Sequence, residues 1–567
     1  MNKELNELIE SWLKIDPNEE SRNEIKQLVN DKDYNTLTKK MIPRIAFGTA
    51  GLRSSMESGY AHMNDVTVLQ ASQGLIAFIL TKDFTKPSIV IGHDHRFNSK
   101  RFAEILASVA VVKHVKVYYL DLVHTPLVPF AIDNYSASCG VMITASHNPA
   151  KDNGYKVYYS NGCQIIPPID KEISDSIDEN LIPWENVWNT KEHLESVVHV
   201  KEETTNEYIK QVNEKLIRHK DLNFNFVYTP MHGVGLDIFE KIMPCFNSNW
   251  KIVPEQAKPD PKFPTVTFPN PEESGALDLA IEYAKKLNYR LVIANDPDAD
   301  RFSVAVNTKK GWKQLNGNEI GFLFAMYVNA KKDDYLINST VSSRVLKSMS
   351  EIDGFNYIDT LTGFKWIGNK AIDLENGFKV PFAYEEAIGF MFELVHDKDG
   401  ISAAIVFLQL YQEWFREHDV LDKLEEGYNK YGWFKSYNGY YRTTNVNQVF
   451  ESKVRRYTGD FPKTLGDFKV IEWIDLTLGY QSNTKDNKPI LPTDPNSQLI
   501  TGILKLKKED DEEVRFTCRG SGTEPKLKVY IEGKSNTEDR ALGIAIKCWD
   551  LLKNFWFDNL EEVKPNI

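Results

Sequence analysis

The chain has 567 residues, more than one hydrophobic core can organise, so several domains are expected. Hydrophobic residues make up 42% and charged residues 26%, ordinary globular values that exclude long disorder as the dominant state. A formal net charge of -12 argues against nucleic acid as a partner, yet leaves room for a local basic pocket that binds a small anion.

The first stretch, MNKELNELIESWLKI, reads as an amphipathic helix with acids in it and lacks the apolar centre of a signal peptide. No apolar run approaches the ~20 residues that span a bilayer, so no membrane partner is expected. Cys139, Cys163, Cys245, Cys518 and Cys548 are scattered with no CxxC pair, which suits a reducing compartment and a cytoplasmic location.

Strands and helices then alternate. Residues 88–92 (SIVIG) predict a buried strand, 99–114 a helix with Ser99 as its cap, and 116–120 and 140–144 two further strands. The cycle recurs with strands at 225–229, 250–253 and 290–294 and helices from Gly235 and over 276–287. A third cycle starts at Tyr335 and closes with a helix over 401–416. The tail predicts strands at 500–505 and 527–532 and a final helix over 538–556. This is an α/β chain: three similar α/β domains over 1–215, 216–330 and 331–435, then an α+β domain over 436–567.

Four loops carry chemistry. In TASHNPAKDNGYKVYY (144–159), Ser146 follows an apolar strand directly, where open α/β sheets place ligand-binding groups. Its hydroxyl suits a phosphoryl acceptor, although on this segment alone a helix cap is the plainer reading. In NDPDADR (295–301), Asp296, Asp298 and Asp300 alternate at a strand end. Three carboxylates this close repel by roughly a few kcal/mol per pair, which a hard cation relieves. The EF-hand spacing is missing, so magnesium is favoured over calcium; a solvated acidic turn is the alternative.

In FAYEEAIGF (382–390), Glu385 and Glu386 suit sugar hydroxyls, and in the HDKDG that follows, Lys398 is a candidate proton carrier. Taken alone this is more simply a surface turn. In CRGSGTEPKLKVY (518–530), Arg519, Ser521, Gly522 and Thr523 form a compact anion-binding set without P-loop spacing, and a structural glycine-rich turn accounts for it equally. A fifth segment, RIAFGTAGLRSSM (44–56), offers Arg53 and is weak by itself.

In this order, with GHDHRFNSK, VHTPLVPFA, TPMHGVG, FPNPEE and TGFKWIG between them, the loops resemble the α-D-phosphohexomutase superfamily over almost the whole chain. Within it the sequence is most similar to the eukaryotic phosphoglucomutase-2 type, which includes phosphopentomutases (phosphoribomutases). The resemblance implies a four-domain, heart-shaped protein with each domain giving one loop to a central cleft. It implies Ser146 as phosphoserine, a single Mg2+ per subunit on Asp296, Asp298, Asp300 and Ser146, and a sugar bisphosphate as activator or primer. Glu385 and Glu386 would meet sugar hydroxyls. Arg519, Ser521, Gly522 and Thr523 would hold the distal phosphate. Arg53, His147, Lys156, Arg301 and Lys398 would line the reaction centre, and Thr362 would touch substrate.

Lys398 is the first choice for the general base and His147 the second. Many phosphoglucomutases read Glu-Glu-Ser where this chain reads Glu385-Glu386-Ala387, which puts glucose preference in doubt and agrees with a pentose substrate. The expected activity is interconversion of ribose 1-phosphate and ribose 5-phosphate, and also of glucose 1-phosphate and glucose 6-phosphate, by a monomer acting on small phosphosugars. Two other readings are a sugar 1,6-bisphosphate synthase using a glycolytic phosphoryl donor and a non-catalytic binding relative. The intact Ser146 and aspartates weigh against the latter.

Overall fold

The computed structural model describes residues 3–48, 51–416, 418–443, 445–455, 461–495, 497–506, 512–520 and 526–563. It divides into one compact unit of residues 1–328 and 363–420 and a second of 329–362 and 421–567.

The first unit opens with three helices, Lys3–Ile15, Glu19–Asn30 and Tyr34–Met41, closed over Trp12, Ile25 and Leu37. A six-stranded sheet follows. Ser88–His93 lies parallel to both Lys116–Leu122 and Cys139–Ile143, and Asp152–Tyr159 returns antiparallel beside Cys139–Ile143. Ser88–His93 and Cys139–Ile143 are buried along their whole length, so they read as continuous apolar runs rather than alternating ones. Helices Asp65–Leu80, Ser99–Val112 and Ile169–Glu179 pack together, and Leu127–Tyr135 packs on Lys201–Lys215.

A five-stranded sheet places Asp221–Thr229 parallel to Asn247–Ile252 and Leu291–Asn295, with Phe302–Thr308 and Gly311–Gln314 antiparallel at one edge. The hairpin Lys379–Glu385 and Gly389–Met391 and the helices Gly317–Val328, Phe364–Glu375 and Gly400–Leu410 complete the unit.

In the second unit Asp334–Ser339 pairs parallel with Asn356–Thr360. A nine-stranded sheet, antiparallel throughout its described pairs, is built round Leu499–Leu506, Glu513–Gly520 and Lys526–Ser535, and helix Glu538–Leu552 buries Ile544, Cys548 and Trp549 against it. The tail is therefore α+β, as its sequence implies.

Several boundaries move. Ser99 is the first helical residue and not the cap: Asn98 precedes it at φ 62° without a capping bond, and the Ser99 hydroxyl donates to Asp94 Oδ1 at 2.5 Å. The helix expected over 276–287 starts at Asp278, after Gly275 turns the chain at φ 83°. The helices expected to reach 416 and 556 keep α geometry to Leu410 and Leu552, then continue as π turns at Tyr411–Phe415 and Lys553–Phe557.

Candidate active site

Ser146 leaves the buried strand Cys139–Ile143 three residues after its end, at φ 53°. Its backbone N–H donates to Thr144 Oγ1 at 2.9 Å, and Thr144 donates in turn to Asp94 Oδ2 at 2.7 Å. Arg96, 3% exposed, donates to the carbonyls of Ser146, Asn148, Pro149 and Asp152 at 2.5, 2.6, 2.8 and 3.2 Å. One guanidinium thus satisfies a loop that has no ladder of its own. The Ser146 hydroxyl donates to Asp296 Oδ2 at 2.9 Å and lies 3.2 Å from His147 Nδ1.

The acidic loop leaves Leu291–Asn295 in the neighbouring sheet. Asn295 accepts from Tyr228 at 2.9 Å and donates to Arg301 O at 2.7 Å, closing the loop across its neck. The TPMHGVG segment backs it: Val234 N donates to Pro297 O at 2.8 Å, and a Cβ on Gly233 would lie 2.3 Å from that carbonyl oxygen, so only glycine fits. Asp296, Asp298 and Asp300 are at most 1% exposed.

Lys156, on Asp152–Tyr159, reaches Asp298 Oδ2 at 2.7 Å and Asp300 Oδ2 at 2.8 Å. Thr125 donates to Asp298 Oδ2 at 2.5 Å. Lys398 lies 3.3 Å from both Asp300 Oδ2 and Asp397 Oδ1, and Asp397 also accepts from Tyr158 at 2.8 Å. Asp399 caps Gly400–Leu410 by accepting from Ile401 and Ser402, and Tyr208 donates to it at 2.6 Å, which fixes the HDKDG turn.

The charges are interlocked. Burial, then Asp298 and Asp300, push Asp296 far above the carboxylate range. Burial opposes ionisation of Asp298 too, but Lys156, Asp296 and Thr125 hold it well below that range. Asp300 is likewise buried and repelled by Asp298, and Lys156, Lys398 and Arg301 bring it down. Despite burial, Asp300 and Asp397 raise Lys398, which stays charged. Burial, then Arg301 and Arg53, push His147 well down, so its ring is neutral.

Three aspartates offer ligand oxygens within 4.8 Å of one another. Asp298 Oδ1 and Asp300 Oδ1 are buried without a hydrogen-bond partner among the described residues. Two orphaned carboxylate oxygens in a hard-oxygen set beside a hydroxyl fit a divalent cation.

Arg301 connects this centre to the sugar loop. Its N–H donates to Asp296 Oδ1 at 2.9 Å and its Nη1 to Ala387 O at 2.9 Å, while Phe302 N donates to Ile388 O at 3.1 Å. Ser146, Ala299 and Ile388 all sit at φ between 51° and 54°, one in each loop. For β-branched Ile388 this conformation stores about 1–3 kcal/mol. Glu385 accepts from Gly363 N at 3.0 Å.

Ser146, His147, Lys156, Asp296, Asp298, Asp300, Arg301 and Lys398 therefore meet in one constellation. Arg53 is exposed, its Nη1 3.5 Å from Asn148 Oδ1. In the second unit, Arg519 Nη1 donates to Thr362 Oγ1 at 2.8 Å. Ser521, Gly522 and Thr523 lie outside the described residues. Asp94, Arg96, Thr125 and Asp397 also belong to this centre, and none of them stands in a motif that marks it by itself. The signal for the first two was present in GHDHRFNSK, which leaves the strand parallel and next to the one that ends before Ser146.

Models of the phosphoglucomutase/phosphomannomutase family match the chain four times in succession: α/β/α domain I at residues 44–182, domain II at 206–311, domain III at 316–431 and the C-terminal domain at 482–544. A phosphoribomutase of Saccharomyces cerevisiae is 50% identical, covering 98% of this chain and 96% of the relative. A phosphopentomutase of Homo sapiens is 38% identical over 92% of this chain and 90% of its own. A glucose 1,6-bisphosphate synthase of Homo sapiens is also 38% identical, over 93% and 90%. The crystal structure of parafusin, a phosphoglucomutase from Paramecium, shares the fold with a TM-score of 0.66 at 16% identity, over 92% of this chain and 97% of that one.

Proposed function

The chain belongs to the phosphoglucomutase/phosphomannomutase family, and from that premise we propose that it is a phosphosugar mutase working through a phosphoserine at Ser146. The observation that carries this is the Ser146 hydroxyl 2.9 Å from Asp296, inside an acidic set balanced by Lys156 and Lys398. Its main substrates are ribose 1-phosphate and ribose 5-phosphate, with glucose 1-phosphate and glucose 6-phosphate handled less well. The 50% identical phosphoribomutase and the missing hydroxyl at Ala387 support the pentose reading. The bisphosphate synthase among the relatives is less similar, at 38%, so synthase activity is the weaker reading.

Phosphorylated Ser146 gives its phosphoryl group to the free hydroxyl of a sugar 1-phosphate. The Ser146 Oγ–P bond breaks as the new P–O bond forms, and the hydroxyl proton passes to neutral His147 and on to Ser146 Oγ. The resulting bisphosphate turns round, and Ser146 takes back its other phosphoryl group, leaving the isomeric monophosphate. A sugar bisphosphate therefore primes an unphosphorylated chain.

A divalent cation on Asp296, Asp298, Asp300 and Ser146, which we take to be one Mg2+ per subunit, would offset the charge of the phosphoryl group. Charge balance favours His147 over Lys398 as the proton carrier: Lys398 is held charged and acts as an electrostatic partner. Arg53 and Lys156 orient the reacting phosphate, Glu385 and Glu386 take sugar hydroxyls, and Thr362 and the Arg519–Thr523 loop take the other phosphate.

Five free cysteines fit a reducing compartment, and we take the protein to be a cytoplasmic monomer. Among the described residues no helix is long and apolar enough to cross a membrane. Steady-state rates on ribose 1-phosphate and glucose 1-phosphate, each with and without sugar bisphosphate primer, test the reading. The expected result is primer-dependent isomerisation with higher kcat/KM on the pentose, and absence of isomerisation on both contradicts it.

A further inference from the structure

The FPNPEE loop enters the site from an unexpected side. Asn270 Oδ1 accepts from Glu272 N at 3.2 Å, and Asn270 O accepts from Glu273 N at 3.0 Å, so the turn that presents Glu272 is built by its own sequence. Gln314 anchors the same turn, donating to Pro271 O and, at 3.1 Å, to Ser303 Oγ. Glu272 Oε2 then lies 3.7 Å from Arg301 Nη1, the nitrogen that donates to Ala387 O. At that distance the two attract as charges but share no hydrogen bond, so Arg301 leaves the acceptor sites of Glu272 open. Among the described residues no hydrogen bond to this carboxylate is formed.

Glu385 and Glu386 stand close by. Partial burial and these two neighbours, against the pull of Arg301, push Glu272 up to about 7. The backbone leaves the wall little freedom, since a Cβ on Gly317 would lie 1.8 Å from Glu386 O. Glu272, Glu385 and Glu386 thus lie near one another beside Arg301, next to a sugar loop that carries Ala387 in place of a hydroxyl. A carboxyl group keeps an acceptor oxygen in either protonation state, and a sugar ring's vicinal hydroxyls are donors of the complementary kind.

Resting on the mutase reading above, we infer that Glu272 is a specificity-determining residue. Its carboxylate accepts a hydrogen bond from a ring hydroxyl of the pentose phosphate and replaces the hydroxyl that Ala387 lacks. The test compares the full-length wild type with Glu272→Ala and Glu272→Gln on ribose 1-phosphate, 2-deoxyribose 1-phosphate and 3-deoxyribose 1-phosphate. Wild-type turnover of ribose 1-phosphate is measured first, since its absence would reject the mutase reading and not this one.

Glu272→Ala should lower kcat/KM on ribose 1-phosphate roughly tenfold to a hundredfold, mainly through KM. The loss should shrink to within about threefold on the one deoxy substrate lacking the engaged hydroxyl. Glu272→Gln, which keeps an acceptor oxygen, should recover part of the loss, and it remains the test variant if the alanine chain fails to fold. An equal loss on all three substrates, or no loss on any, overturns the inference.

Discussion

The acidic loop and the sugar loop meet at Arg301, yet they are held in opposite ways. Asp296, Asp298 and Asp300 are buried, and lysines, Thr125, the Ser146 hydroxyl and backbone donors fix them from several elements. Glu385, Glu386 and Ala387 are only half-buried, and the loop is tied mainly through backbone groups at Ala387 and Ile388. Phosphoryl transfer tolerates little misplacement of charge, so its groups are pre-positioned. On the proposed function the 385–387 loop would instead receive two orientations of one intermediate, and a looser wall of acceptors suits that task.

Changes in the acidic loop should therefore act on turnover, and changes in the sugar loop on preference. Asp298→Asn should cost roughly 10²-fold or more in kcat and raise the Mg2+ concentration giving half-maximal rate, because it removes an orphaned anionic oxygen and the partner of Lys156. An unchanged magnesium titration would count against the assigned ligand set. Arg96→Met tests whether the Ser146 loop needs its buried guanidinium. Losing four carbonyl contacts should destabilise the fold by about 3 kcal/mol and lower kcat about tenfold, measured by chemical denaturation and kinetics.

His124, beside Thr125 under the acidic loop, is 3% exposed, and burial lowers it to about 3. The unfolded chain binds this proton near pH 6.5 and the folded chain does not. Its contribution to stability is therefore full above about pH 6.5 and lost as pH falls toward 3. His124→Asn should make the acid side of a stability–pH curve shallower by about one proton, and an unaltered slope would show that His124 is not the group responsible. The smallest effect belongs to the looser loop: Ala387→Ser should change the glucose-to-ribose ratio of kcat/KM by only about threefold to tenfold, in favour of glucose, with kcat on ribose 1-phosphate nearly unchanged.

Much of this was legible in the sequence because strand ends announce themselves. The all-apolar runs before Ser146 and Asn295 place both loops at the ends of buried strands, and the alternation of Asp296, Asp298 and Asp300 marks a candidate cation site. Long-range partnership was not legible. Nothing near Arg96 shows that it will satisfy four carbonyls about fifty residues away, nor does Thr125 look like a partner of Asp298, because both contacts depend on how the sheets are arranged. Ser99 misled for a local reason: it sits one residue inside the helix, where its hydroxyl donates to Asp94 instead of accepting from the free N–H groups of the first turn. The contacts of Lys398 with Asp300 and Asp397, 3.3 Å each, were equally invisible in the sequence.

The most direct measurement is the phosphorylation state of Ser146 during one turnover. Incubation with a sugar bisphosphate should place a single phosphate on Ser146, seen by peptide mass spectrometry, and a chase with ribose 1-phosphate should exchange it at least as fast as kcat. Ser146→Ala should take up no phosphate and isomerise nothing. Full isomerisation with Ser146 unmodified throughout, or by the alanine variant, would contradict the covalent relay.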